Sequence, residues 1–318
     1  MSKSALIVGA GLGGLLCGRI LSREGWQLTL LEADSRPGGV LHSFDWDGIP
    51  CDVGFHSVGG LGPGEALERI FRPLGLMDLP WYRADADEGM PFMRLNAASD
   101  FEMAHVLEPY RKGVWRLHGG GDTLVSALSE GLDIRCRHTV QSIQNKVVTC
   151  QDGSVFSADI IISDLSPDQT VLLLKDHLRL SYIHRLAKLT SGPDILQVYC
   201  LLEQDCVPWQ SGAVFLSEPP LMLHFDEPGT SVLELMCYGQ RKPEDMVAQA
   251  ARRLPGLKVR RYLARSVQGF GIRKYEASDC IAPLTPLPWL YLTGQNLGLH
   301  GVLGTAVSAL VTCKSIQS

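Results

Sequence analysis

The sequence predicts an α/β fold that opens on a dinucleotide-binding β-α-β unit, and three observations carry that expectation. Residues 4–9 form a short continuous apolar run, the pattern of a strand buried on both faces of a parallel sheet. The glycine-rich string Gly9-Ala10-Gly11-Leu12-Gly13-Gly14 follows at once, and helical apolar spacing then runs over 13–24 through Leu15, Leu16, Ile20 and Leu21. A second strand over 27–32 closes on an acidic residue, Glu32, about 20 residues beyond the glycines.

The remaining elements are read from the same signals. Gly25 supplies the stop for the first helix. Residues 63–75 carry helical spacing through Leu67, Ile70 and Phe71 and break at Pro73. Residues 77–115 show no clear period, and the charged stretch 83–88 reads as a solvated loop. A short helix over 122–130 follows the triple glycine 119–121 and leads to strands at 133–140, 147–150 and 159–163. Strands at 195–202, 213–216, 221–225 and 231–238 predict an antiparallel or mixed sheet, followed by an amphipathic helix over 243–254. Residues 289–293 read as a late buried strand and 301–313 as a final apolar helix. No repeat or low-complexity linker divides the chain.

Composition narrows the function. A chain of 318 residues fits roughly two domains and buries a core without disulfide or metal staples. Hydrophobic residues at 45% and charged residues at 20% exclude disorder. The 29 basic and 34 acidic residues leave a net charge of −5 with no basic run, which argues against a nucleic-acid partner. Nine scattered cysteines with no CxxC pair predict reduced thiols in a cytoplasmic protein, with neither a disulfide framework nor a metal site. Lys3 and the apolar stretch after it superficially imitate a signal peptide, and Leu16-Cys17 a lipoprotein cleavage site. Glycines at 9, 11, 13 and 14 interrupt that stretch and the residue before Cys17 is large, so a strand and its loop are the better reading. No apolar run reaches the roughly 18 residues of a membrane-spanning helix.

The chemistry concentrates in four strings. In Gly9-x-Gly11-x-x-Gly14 the glycines permit a tight turn, and the helix that follows offers free N–H groups and a positive dipole end to a pyrophosphate. Glu32 suits the two hydroxyls of an adenosine ribose and disfavours a 2′-phosphate. Arg36-Pro37-Gly38-Gly39 suits a ligand that continues past the pyrophosphate toward a second ring system. Asp52-Val53-Gly54-Phe55-His56-Ser57-Val58-Gly59 follows, and Tyr291-Leu292-Thr293-Gly294-Gln295-Asn296 precedes the last helix, so the chain returns to its nucleotide domain at the far end.

These strings resemble the FAD-dependent phytoene desaturase and retinol saturase group of the flavin amine oxidase superfamily. The resemblance spans about residues 1–60, 115–164 and 284–318, and the D-x-G-x-H-x-x-G string at 52–59 with G-Q-N-x-x-x-H-G-V-L-G at 294–304 carries most of it. It implies a glutathione-reductase-like Rossmann FAD-binding domain over 1–60, 116–165 and 271–318. An α+β substrate (cap) domain would be inserted over 61–115 and 166–270. It further implies that Gly9, Gly11, Gly14, Glu32, Arg36, Gly38 and Gly39 hold the adenosine and diphosphate of FAD. Leu12, Gly13, Ala33, Val40, Leu41 and His42 are further cofactor contacts on this reading. Val140 would pass the adenine, Ser163 and Asp164 would end the family's characteristic strand, and Gly294 and Gln295 would lie near the ribityl chain. Gly301, Val302, Leu303 and Gly304 would open the final helix beneath the flavin pyrimidine, where helix N–H groups stabilise a reduced anionic ring. There are departures: Val40 stands where the group often has arginine, Gln295 where an acidic residue is common, and the chain is much shorter than typical desaturases.

His56 and His300 are the candidate catalytic groups, since each lies in a string expected to approach the flavin and a neutral imidazole can handle the proton that accompanies hydride transfer. The expected reaction moves a hydride between a carbon of an apolar small molecule and flavin N5. Amine or amino-acid oxidation stays open, with Lys188 the only lysine to nominate, as does a flavin-binding accessory protein without turnover. No second GxGxxG follows residue 14, so the electrons come from the substrate or from a separate donor, and the final acceptor stays open. An NAD-only dehydrogenase would leave Arg36–Gly39 and the C-terminal return unexplained, and no GxSxG nucleophile elbow supports a hydrolase. His177, His184 and His224 show no metal-ligand spacing. Trp81, Tyr82, Phe92, Tyr199, Leu223, Phe225 and Met236 are candidates to line an apolar pocket. Peripheral membrane contact is suggested by the group's lipophilic substrates, not by any amphipathic segment.

Overall fold

The computed structural model describes residues 3–54, 57–83, 112–174, 178–187, 195–203, 212–217, 220–225, 231–239, 241–254, 256–267, 281–297 and 301–317. The chain opens with β1 (Ser4–Val8), α1 (Leu12–Arg23) and β2 (Gln27–Leu31), then a hairpin of β3 (Ser43–Trp46) and β4 (Ile49–Asp52). Next come α2 (Ala66–Phe71), β5 (Trp81–Arg83), β6 (Trp115–Leu117) and α3 (Gly120–Ser129). β7 (Ile134–Arg135), β8 (Val140–Gln144), β9 (Val147–Cys150), β10 (Val155–Ser157) and β11 (Ile160–Ser163) lead to α4 (Pro167–Leu173) and α5 (Leu180–Ala187). β12 (Ile195–Leu202), β13 (Gly212–Ser217), β14 (Pro220–Phe225) and β15 (Val232–Tyr238) precede α6 (Pro243–Arg253), β16 (Val259–Val267), β17 (Leu290–Leu292) and α7 (Gly301–Gln317).

The first sheet is parallel, in the order β17-β11-β1-β2-β7, and draws its strands from both ends and the middle of the chain. Its apolar runs explain this: Ile7 and its register partner Ile162 are both fully buried, which an all-parallel sheet covered on two faces requires. On one face α1, α3 and α7 supply Leu15, Leu16, Leu124, Leu128, Ala306 and Ala309 to a shared core. On the other, Leu6, Val8, Leu31, Ile161 and Leu290 pack against Ile143, Val148 and Cys150 of the β8–β9–β10 sheet. Each such aliphatic side chain contributes about 1.5–3 kcal/mol of transfer free energy.

The second sheet runs antiparallel in the order β13-β14-β15-β12-β16. Its residues alternate as a half-buried sheet demands: Val198, Cys200, Leu223, Leu233 and Leu235 meet Met246 and Ala250 of α6. From the opposite face Tyr199 packs with Phe44, Trp46 and Ile49 of the β3–β4 hairpin. Its hydroxyl donates to the Asp52 carbonyl at 2.6 Å, and its ring meets Phe44 edge-on at 5.0 Å between centroids.

The strand expected over 133–140 is two elements. Arg137 takes a left-handed φ of 61° between them, and the N–H groups of Arg137 and His138 turn back to the carbonyls of Asp34 and Glu32. The helix expected over 63–75 covers only Ala66–Phe71 before a 3₁₀ turn containing Pro73, and Gly75 ends that turn at φ +76°. Leu223 belongs to the α6-facing core, so it does not line a pocket on the other face. The cysteines among the described residues are free thiols.

Replacing Tyr199 with phenylalanine leaves the buried Asp52 carbonyl without this donor. A loss of about 1–3 kcal/mol is expected, read as a lower urea midpoint at unchanged m value.

Candidate cofactor site

The site is built where three chain segments leave the parallel sheet on the same side. β1 ends at Val8, and Gly9 turns the chain at φ +96° while its N–H bonds the Leu31 carbonyl at 2.8 Å. Gly11 is the N-cap of α1, and the Leu15 N–H returns to its carbonyl at 2.9 Å. Leu12 and Gly13 therefore begin the helix with N–H groups that have no intrahelical acceptor, at its positive end. A Cβ on Gly14 would overlap the Gly9 carbonyl oxygen, so the third glycine of the motif is sterically required.

The second wall comes from the 36–42 segment. Gly38 at φ +123° donates its N–H to the Ala10 carbonyl at 2.8 Å, and Gly39 at φ +56° passes close to Gly11. Val40 and Leu41 form the 3₁₀ turn with Gly39, and a Cβ on Gly54 would meet the Val40 carbonyl. Arg36 donates to the Ser43 carbonyl at 2.7 Å and stands 3.8 Å from Asp122. Beside it, the buried His42 Nδ1 has no hydrogen-bond partner among the described residues. Burial, with the Arg36 charge adding to it, holds the His42 imidazole below its ordinary pKa. Glu32, nearly buried and followed by Ala33, accepts the Ala10 N–H on one carboxylate oxygen and the Asp34 N–H on the other, both at 2.9 Å.

The third wall is the exit of β11 and β17. The Asp164 N–H bonds the Val8 carbonyl at 2.8 Å, and the Thr293 N–H bonds that of Ser163 at 2.9 Å. Gly294 follows at φ +103°, so near Gly13 that a Cβ there would come within 3.0 Å of the Gly294 Cα. The Asp164 side chain lies in the middle of this packing. Cβ atoms placed on Gly11, Gly13 or Gly294 would each collide with its carboxylate oxygens, and Gly9 and Gly14 are its close neighbours. Burial, with the Glu32 charge adding to it, pushes the Asp164 carboxyl up to about 7 against the opposing effect of its bond from the Gly14 N–H.

Part of the sequence-predicted set lies at this loop. Gly9, Gly11, Leu12, Gly13 and Gly14 form it, Gly38 and Gly39 lie against it, and Ser163, Asp164 and Gly294 lie beneath it. Gln295 opens a 3₁₀ turn after Gly294. Val140 begins β8 two residues beyond His138, whose N–H bonds the Glu32 carbonyl. Gly301 starts α7 at φ +68°, Gly304 is buried, and Val302 and Leu303 pack on the core, with Leu303 near Gly60. His56, His300, Lys188, His177 and Phe92 lie outside the described residues. Sequence reasoning missed Ala10 and Thr293 as structural partners of the loop. It also missed the enclosure of Asp164, whose one signal was an acidic residue directly after the apolar run Ile160-Ile161-Ile162.

Two family models match. Residues 7–74 fit an NAD(P)-binding Rossmann-like domain, and residues 61–248, more than half of the chain, fit flavin containing amine oxidoreductase. The chain belongs to the flavin containing amine oxidoreductase family. It is 28% identical to probable polyamine oxidase 4 of Arabidopsis thaliana over 53% of its own length and 30% of that protein's. It is 35% identical to the all-trans-retinol 13,14-reductase of Danio rerio over 24% of its length and 13% of that protein's. The chain thus spans 30% or less of these curated relatives. An oxidoreductase from Methanosarcina mazei shares the fold at a TM-score of 0.70 and 16% identity, over 99% of this chain and 100% of that one.

Membership in this oxidoreductase family implies FAD. The residues present fit it: the glycines leave backbone N–H groups open at the start of α1, His42 Nδ1 is an orphaned polar atom beside them, and Glu32 is held by two amides with lone pairs to spare. Among the described residues no cluster of three or more His, Cys, Asp or Glu could hold a metal ion.

Two outcomes follow. Gly14→Ala forces the loop off the Gly9 carbonyl, so the protein should lose about 1–3 kcal/mol of stability and retain less than a tenth of bound flavin after desalting. In the flavin-free protein, Asp164 binds a proton more tightly folded than unfolded. Stability should therefore fall as pH rises from about 4 to about 7 and level off above, by a few kcal/mol at most. Asp164→Asn should remove that slope in melts across the range.

Proposed function

We propose that this chain is an FAD-dependent oxidoreductase that moves a hydride between a carbon of an apolar small molecule and the flavin. The observation that carries the reading is the convergence of the β1–α1 loop, the 36–42 segment and the β11 and β17 exits on one glycine cradle. FAD, when bound, supplies the hydride acceptor or donor at N5. The N–H groups of Leu12 and Gly13 orient the diphosphate at the helix end. Glu32 would accept from the ribose hydroxyls, and Gly38, Gly39 and His42 would hold the phosphates. Gly294 and Gln295 would hold the ribityl chain, and the Gly301–Gly304 turn of α7 would hold the ring. His56 and His300 hold or move the proton that accompanies the hydride. The cap over 61–115 and 166–270 supplies the substrate side.

Support for an apolar substrate comes from the likeness to the retinol reductase, a protein named for its action on retinol. A second reading, oxidation at a carbon bearing nitrogen, is favoured by the longer match to the polyamine oxidase. Among the described residues no helix is long and apolar enough to cross a membrane. Any contact with lipid would therefore be peripheral or lie elsewhere.

The purified protein should be yellow and should bleach anaerobically with its substrate. A C=C product supports the first reading, whereas ammonia or an amine fragment supports the second. A colourless protein that takes up no flavin overturns both. Glu32→Gln, which loses one charged acceptor, should weaken FAD binding roughly tenfold in a fluorescence-quenching titration.

A further inference from the structure

Asp164 is an anion at a site shaped for anions. Its carboxylate lies beneath Gly9–Gly14, close to Gly11, Gly13 and Gly294, and accepts the Gly14 N–H. A loop that receives a diphosphate gains from every free N–H and loses from every fixed negative charge nearby. We infer that Asp164 couples cofactor binding to proton uptake: the FAD diphosphate and an ionised Asp164 oppose each other at the start of α1, and the cofactor enters with Asp164 protonated. The proton comes from solvent, and the neutral acid still accepts the Gly14 N–H through its carbonyl oxygen.

The charges facing Asp164 support this direction. From the loop and α1 it meets glycines, and from the turn after β17 it meets Gly294, none of them ionisable. From β2 it faces Glu32, whose like charge already disfavours ionisation before any phosphate arrives. Among the described residues the imidazole beside the cradle is that of His42, which faces Arg36, Asp122, Asp34 and Glu32 and is held below its ordinary pKa. Among the described residues Asp164, poised at about 7 without the cofactor, is the carboxyl of the cradle that titrates near neutral pH, and a diphosphate beside it shifts it further upward.

The proposal rests on FAD lying at Gly9–Gly14, and the experiment separates the two claims. FAD dissociation constants are measured by fluorescence quenching from pH 6 to 8.5 for the wild-type apoprotein and for Asp164→Asn. Calorimetry at pH 8 in HEPES and in Tris counts protons. Wild type should weaken about tenfold per pH unit above about 7 and take up close to one proton per FAD. Asp164→Asn should change less than about twofold over the range and take up none. Asp164→Ser, with its fold checked by thermal melting, substitutes if the asparagine variant does not fold. Tight binding with the same profile in wild type and variant, or no proton uptake, overturns the role of Asp164 and leaves the cofactor site standing. Failure of the wild type to bind FAD at any pH overturns the site itself.

Discussion

Backbone-to-backbone contact at the glycine loop is the constraint from which the rest of the molecule follows. Gly13 approaches Gly294 closely, a side chain on either would collide with the Asp164 carboxylate, and Gly14 is pressed on the Gly9 carbonyl. Such contact is possible only if β1, β11 and β17 sit side by side with their ends level. The parallel register that pairs Val8 with Ser163, and Ser163 with Leu292, provides this. The long excursions between these strands are tolerable because loop closure grows only slowly in cost with length, while each return buries another fully apolar strand.

That geometry also sets the electrostatics. The open end of a helix attracts negative charge, yet two carboxylates, Glu32 and Asp164, already stand beside it. They are accommodated differently. Glu32 holds two amide donors at 2.9 Å and sits at the strand end, where a ribose rather than a phosphate is expected. Asp164 has one amide donor and lies under the phosphate loop itself, where burial outweighs that single bond. Glu32 is thus placed to accept from a ribose, and Asp164 to give up its charge.

How much of this was legible in the sequence depended on the range of the interaction. The β1–α1–β2 unit, its glycine string and Glu32 were readable because each is a local pattern: a strand-length apolar run, a turn only glycine can make, a helical period. The return of β17 was readable from the Thr293-Gly294-Gln295 string before an apolar helix. The hairpin Ser43–Asp52 was missed because its strands are four residues each and Pro50 lies within one, which lowers any strand signal. Strand β16 was missed because its pattern is mostly exposed and its sequence Val-Arg-Arg-Tyr-Leu-Ala-Arg-Ser-Val is strongly basic. The split after Arg135 was unreadable because its cause, bonds from 137 and 138 to Asp34 and Glu32, spans far-apart residues. Asp164 showed its position but not its burial, which depends on five glycines from two ends of the chain.

The antiparallel sheet is joined to the β3–β4 hairpin and the residues after it by directed polar bonds as well as by apolar packing. Tyr199 donates to the Asp52 carbonyl, and Gln197 donates both to the Val53 carbonyl and to Glu234. The Asp52 and Val53 carbonyls are backbone atoms of the segment that runs from the hairpin toward Gly54, which itself packs on Val40 beside the glycine cradle, while Glu234 lies on β15 within the sheet. Apolar contacts alone would let the antiparallel sheet slide over Phe44 and Trp46 at little cost, because dispersion is insensitive to direction. A buried hydroxyl and a buried amide cannot slide without leaving carbonyls unsatisfied. The antiparallel sheet is therefore held in register with the segment that adjoins the cofactor cradle. Its hairpin-facing side carries Gln197, Tyr199 and Glu234 and is more polar than its α6-facing side, so the chemistry of any pocket there is set by a few oriented groups set among apolar neighbours.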